Sequence, residues 1–147
     1  MSTRSAVGYL NPNGEVTAAY VHWDGYPKAR MPLLKKHFMT MKSVKALVAP
    51  GSMSSIRTRD TWPTYCDPML KDENGNFVRD KEGNFCKKGD RNPQPLYYHE
   101  RGDKDNGPIT RGDAVDFWFS NYDCEFLYVF DGKKWITYAK YDPHLYE

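Results

Sequence analysis

Cysteine is scarce in this chain, and its placement excludes more than it suggests. Cys66, Cys86 and Cys124 are the only three in 147 residues, an odd number spaced far apart with no C-x-x-C pair. That pattern excludes a disulfide framework and leaves reduced thiols as the simplest reading. A zinc site drawing on Cys66, Cys86 and His99 would have to be gathered by the fold, because no local ligand spacing announces it. No metal is expected. Long apolar runs are also missing, so no helix should span a membrane, and the polar start Met1-Ser2-Thr3-Arg4-Ser5 does not read as a signal peptide. The expected location is the cytoplasm in which the chain is made. Charge of one sign is lacking too: 21 Lys+Arg stand against 19 Asp+Glu, for a net +2, with both signs mixed along the chain. Such a balance argues against dedicated nucleic-acid binding. There is no Gly-rich phosphate loop, G-x-S-x-G elbow or H-E-x-x-H pair, and no cofactor is expected.

What the chain has in surplus is aromatic surface: 11 Tyr, 7 Phe and 4 Trp make up 15% of it. Tyr and Trp carry a polar tip that suits a recognition surface, although strands favour the same residues for packing alone. Ser5 to Leu10 and Glu15 to His22 are extended runs joined by Asn11-Pro12-Asn13-Gly14, a hairpin signal because Asn-Gly tolerates positive φ. Met31, Leu34 and Phe38 fall at helical spacing with Pro32 in the first turn, and Val44, Leu47 and Val48 repeat that spacing before Pro50-Gly51. Thr110 to Asp113 resembles a capping box ahead of a helix over about 111–121. Phe126 to Phe130, Asp131-Gly132 and Trp135 to Ala139 form a second hairpin. These elements predict one α+β domain over 1–147. Its antiparallel sheet is built from the N- and C-terminal hairpins, two or three short helices pack on one face, and a surface insertion covers about 57–95. Within the insertion, Asp72-Glu73-Asn74-Gly75-Asn76-Phe77 and Asp80-Lys81-Glu82-Gly83-Asn84-Phe85 nearly repeat. The glycine position is wrong for an EF-hand loop, so both read as turns.

Chemistry-bearing residues collect in three places. His22-Trp23-Asp24-Gly25-Tyr26-Pro27 sets an imidazole, an indole, a carboxylate and a phenol at a strand end, where loops commonly carry function. If the strand continued, His22 and Asp24 would share a face and the carboxylate could orient the ring. The stretch reads either as a pocket floor, with Trp23 or Tyr26 stacking on a planar ligand, or as a locked turn in which Gly25 takes an unusual φ and Trp23 plugs the core. Tyr97-Tyr98-His99-Glu100-Arg101 offers an arginine fork for a phosphate or carboxylate, or a plain surface ion pair. The Arg-Gly-Asp triplets at 101–103 and 111–113 have no extracellular context. Ser2, freed of Met1, could serve as an N-terminal nucleophile, but the chain is too short for the four-layer fold that such hydrolases use.

The pattern Thr3-Arg4-Ser5, Val7-Gly8, Asn13-Gly14, Val16, Tyr20 and then the H-W-D-G-Y-P block resembles a family of small bacteriophage and mobile-element proteins. The likeness continues in Leu33 to Phe38, Val44 to Val48, Gly51 to Ile56, Tyr98 to Gly102 and Phe126 to Trp135, and it omits Arg57 to Pro95. The resemblance implies a setting, phage biology inside a bacterium, and no mechanism. The expected role is that of a phage accessory protein acting in the host cytoplasm by non-catalytic binding. Its target would be a host or defence protein or a small nucleotide-like ligand, with Arg4, His22, Trp23, Asp24, Tyr26, His99 and Arg101 as the contact residues. The alternatives are a small hydrolase or nucleotide-processing enzyme with His22 as acid or base and Asp24 as its orienter, and a minor virion component.

Overall fold

In a computed structural model, residues 3–57, 72–76, 79, 94–98 and 107–141 are described. The first hairpin forms as the Asn-Gly signal dictates. Strand β1 (Ser5–Leu10) pairs antiparallel with β2 (Val16–Val21), and Gly14 turns between them at φ +90°. Two helices follow, α1 (Pro27–His37) and α2 (Met41–Val48). Helix α1 starts a turn earlier than the Met31 spacing predicts, because Pro27 rather than Pro32 occupies the first helical position. Strands β3 (Met53–Arg57) and β4 (Gln94–Tyr97) pair antiparallel, so the sheet reclaims both ends of the expected 57–95 insertion. Short β5 (Ile109–Arg111) leads into α3 (Ala114–Asn121), and the second hairpin is β6 (Phe126–Phe130) with β7 (Trp135–Ala139). The order across the sheet is β4-β3-β2-β1-β6-β7, with β5 on the part of β2 that β3 leaves free.

The α+β class and the meeting of the two hairpins in one sheet hold, but two details of the expected architecture are corrected. The sheet is mixed rather than antiparallel, since β1 and β6 run parallel. The cause is a strand–helix–strand crossover. Strand β5 is antiparallel to β2, as β1 is, so β5, α3 and β6 form one unit whose strands must run the same way. The helices also occupy both faces rather than one. Leu34, Val44, Leu47 and Val48 of α1 and α2 pack on Val7, Val21, Phe126, Tyr128 and Phe130. Ala114 and Trp118 of α3 pack on Ala6, Ala18, Leu127 and Val129 across the sheet. Strand β6 is therefore buried along its whole length, as the unbroken apolar run Phe126 to Phe130 suits. Where β1 and β2 meet the α3 face the residues are small, Ala6, Gly8 and Ala18, and at Gly8 there is no room for more: a Cβ there would collide with the Thr17 carbonyl oxygen.

Local capping differs from the sequence pattern as well. Thr110 and Asp113 form no capping box. The Thr110 hydroxyl lies 2.7 Å from that of Thr17, and both Asp113 oxygens accept from Arg111 at 2.8 and 2.9 Å. The second Arg-Gly-Asp triplet is thus closed on itself, with the guanidinium also over the Phe117 ring at 4.6 Å. A true box forms at α2, between Thr40 and Ser43. Asp72 spends one carboxylate oxygen on the backbone N–H groups of Asn74 and Asn76, both at 2.9 Å, which agrees with a turn. The second repeat, Asp80 to Phe85, lies outside the described residues, as do Cys66, Cys86 and Ser2.

Candidate functional site: the Trp23 corner

Strand β2 ends at Val21, and the backbone hydrogen bonds that follow go to β3: His22 N–H donates to the Met53 carbonyl at 3.1 Å and Trp23 N–H to that of Ser54 at 2.9 Å. Asp24 then takes φ +57°, in the left-handed region that Asp tolerates better than most residues. The unusual φ belongs to Asp24, not to Gly25. Glycine is required at 25 for a different reason. A Cβ there would stand 2.6 Å from the Thr3 carbonyl oxygen and 2.7 Å from Ser5 Oγ. The turn is pinned from beneath. Buried Arg30 of α1 donates to the carbonyls of Trp23 at 2.8 Å and Asp24 at 3.2 Å, and the buried Tyr128 hydroxyl donates to the Gly25 carbonyl. Burial pushes the Tyr128 phenol far up, so it stays a donor.

The corner divides between the two faces of the sheet. Tyr26 packs with the α1 and α2 core, whereas Tyr20, two residues before His22, lies on the α3 side. Trp23 does not plug the core: it is 44% exposed. Its ring meets that of His22 edge to face, with centroids 4.7 Å apart at 90°. His22 Nδ1 is 2.8 Å from the Tyr20 hydroxyl. Burial, opposed in part by Arg4, pushes the Tyr20 phenol up to about 12, so the hydroxyl keeps its proton and pairs with either tautomer of His22. Burial first and the Arg4 charge second hold the His22 pKa below its ordinary value, which favours the neutral ring. Tyr122 continues the aromatic surface, 5.8 Å from Tyr20 and 4.7 Å from Trp118. Arg4 is fastened to the same edge, its carbonyl accepting from Glu125 N–H at 2.8 Å and its guanidinium 3.7 Å from Asp123.

The sequence-predicted residues are therefore sorted rather than confirmed as one cluster. Arg4, His22 and Trp23 lie on a common edge of the sheet, and Asp24 bends the chain beside them. Tyr26 turns to the opposite face, which rules out a clamp made of Trp23 and Tyr26. The strand alternation that would set His22 and Asp24 on one face reaches His22 but not Asp24, where the chain turns at φ +57°. His99 and Arg101 lie outside the described residues. Tyr20, Tyr122 and Arg30 are not among the sequence-predicted site residues. The period of two puts Tyr20 on the His22 side and could have found it; the helical spacing of Trp118 and Tyr122 could have found the latter. Nothing local marks Arg30. Among the described residues no group of three or more His, Cys, Asp or Glu side chains is arranged to hold a metal ion, and no helix is long and apolar enough to cross a membrane. Comparison with protein-family models, curated proteins and solved structures finds no match.

Proposed function

We propose that this protein acts by non-catalytic binding, using the Trp23 corner to engage a partner protein in the phage-infected bacterial cell that the family resemblance implies. The observation that carries this reading is the exposed indole of Trp23 on a turn held by hydrogen bonds from Arg30 and Tyr128 and braced by T-shaped contact with the His22 ring. An aromatic ring ordered before binding loses little entropy on contact, and Trp, Tyr and Arg are the residues that dominate protein-binding hot spots. Tyr20, Tyr122 and Arg4 supply that company along the same edge.

Affinity capture from infected and uninfected host lysates, run in parallel with wild type and Trp23→Ala, tests the reading. The expected result is a specific protein retained by wild type and weakened about thirtyfold or more by the substitution, with Trp23→Phe keeping part of the affinity. Capture indifferent to Trp23 would remove the corner from the function. Calorimetric titration with cyclic and linear nucleotides separates the small-ligand case, in which the indole stacks on a base and Arg4 meets a phosphate; saturable heat lost in Trp23→Ala would reassign the corner to that ligand.

A further inference from the structure

A second surface lies along an outer edge of the sheet. Strand β7 is the last strand in the order, and its partner β6 occupies only one side. The alternation of the ladder follows from its two ends. Asp131 N–H donates to the Lys134 carbonyl at 3.1 Å and Lys140 N–H to that of Glu125 at 2.8 Å. Between them, Ile136 and Tyr138 turn their backbone groups inward to Val129 and Leu127. Trp135, Thr137 and Ala139 accordingly present their N–H and C=O groups outward, and no described strand pairs with them. The edge is rich in β-formers, carries no proline or inward charge, and leaves Tyr138 39% exposed.

Positive charge is concentrated at one end of this edge. The Trp135 indole N–H donates to the Phe38 carbonyl at 2.9 Å, which fastens the last turn of α1, with exposed Lys35 and Lys36, beside the β6–β7 turn, with exposed Lys133 and Lys134. The nearby carboxylate of Asp131 is engaged by the backbone N–H groups of Lys133 and Lys134, both at 2.8 Å. At the other end Lys140 is committed elsewhere, donating to the Phe119 carbonyl at 3.2 Å and lying 3.9 Å from Asp123. Among the described residues, the exposed lysines without an ion pair thus flank the start of β7. A second copy of the chain fits poorly: a two-fold centred on Thr137 would set Lys134 opposite the other copy's Lys140, a like-charge cross-strand pair.

We propose that β7 is a docking edge for an extended segment of a partner protein, which adds as a further strand and lays a run of acidic residues over the lysines beside Trp135. Main-chain hydrogen bonds would provide affinity, and the one-ended charge would fix the register and direction of the added strand.

The test uses the full chain, labelled for NMR, and end-blocked peptides of alternating valine and threonine closing in a run of glutamates at one end. The expected result is saturable binding that slows hydrogen exchange at the amides of Trp135, Thr137 and Ala139. Affinity should fall about tenfold or more when the glutamates become lysines or a central residue becomes proline. Lys133→Glu/Lys134→Glu, two exposed turn positions, should reverse the preference between acidic and basic peptides. Absence of binding would overturn the proposal. So would equal binding of polyglutamate lacking the strand sequence, since the lysines would then be a general anion surface and the edge merely guarded by charge. Self-association that protects the same amides would overturn it in favour of a second copy.

Discussion

At the scale of single residues, the decisive arrangement is His22 between a phenol and an indole. Its Nδ1 is hydrogen-bonded to the Tyr20 hydroxyl, while its ring meets Trp23 edge to face. Burial and the Arg4 charge lower its pKa, so the unfolded chain binds the His22 proton at a higher pH than the folded one does. The sign follows from linkage. His22 contributes its full share of stability above the unfolded value of about 6.5, and that share declines as pH falls through and below 6.5 until the folded ring protonates as well. Urea unfolding of wild type and His22→Asn at about pH 7.5 and about pH 5.5 checks this: wild type should lose more stability on acidification than the variant. Equal losses would show that the ring titrates freely. Other groups repeat the theme of local satisfaction. Asp131 gives its carboxylate to two backbone N–H groups, which hold its pKa below the usual range. Cys124 is fully buried, which pushes its thiol up to about 12 and leaves it a packing residue rather than a nucleophile.

At the scale of elements, what each helix covers depends on how its ends are held. The N-terminus of α2 is closed by the reciprocal bonds of Thr40 and Ser43, at 3.1 Å to the Ser43 N–H and 3.2 Å back to the Thr40 N–H. Its inner residues Val44, Leu47 and Val48 then lie flat on the β1–β2 face. Replacing Thr40 by Ala should cost about 1 kcal/mol in urea or thermal unfolding and leave binding at the Trp23 corner unchanged, because the cap lies on another element. A loss below a few tenths of a kcal/mol would mean that tertiary packing alone holds the helix. In α3 the expected cap is replaced by an exposed Arg111–Asp113 fork, and the helix depends instead on the burial of Ala114 and Trp118.

At the scale of the whole molecule, both apolar layers converge on β1, β2 and β6, one beneath α1 and α2 and the other beneath α3, and β1 and β6 lie side by side at their centre. Opening either of these two strands breaks both layers at once. Amide exchange should therefore be slowest in Ser5–Leu10 and Phe126–Phe130, at rates set by global unfolding, and faster in β4, β5 and α3. Faster exchange in β1 than in β5 would contradict a shared core. The two candidate surfaces meet this rigid centre differently, the Trp23 corner at the end of interior strand β2 and the docking edge along outermost β7.

Local chemistry was enough to specify both hairpins and the apolar stripes of α1 and α2, because Asn13-Gly14, Asp131-Gly132 and helical spacing act within a few residues of themselves. It also marked His22-Trp23-Asp24 as a corner. Three things required the folded chain. The parallel joining of β1 to β6 depends on the crossover through α3, and β3 and β4 carry too little periodicity of their own to declare themselves. The two faces of the corner separate Tyr26 from Trp23 only once the sheet exists to have faces. Arg30, whose sequence neighbourhood is that of an ordinary exposed helix, becomes the buried support of Trp23 and Asp24 because α1 folds back beneath the turn. Short-range conformational preference decides where a chain bends, and the burial of distant segments against one another decides which side chains remain in reach of a partner.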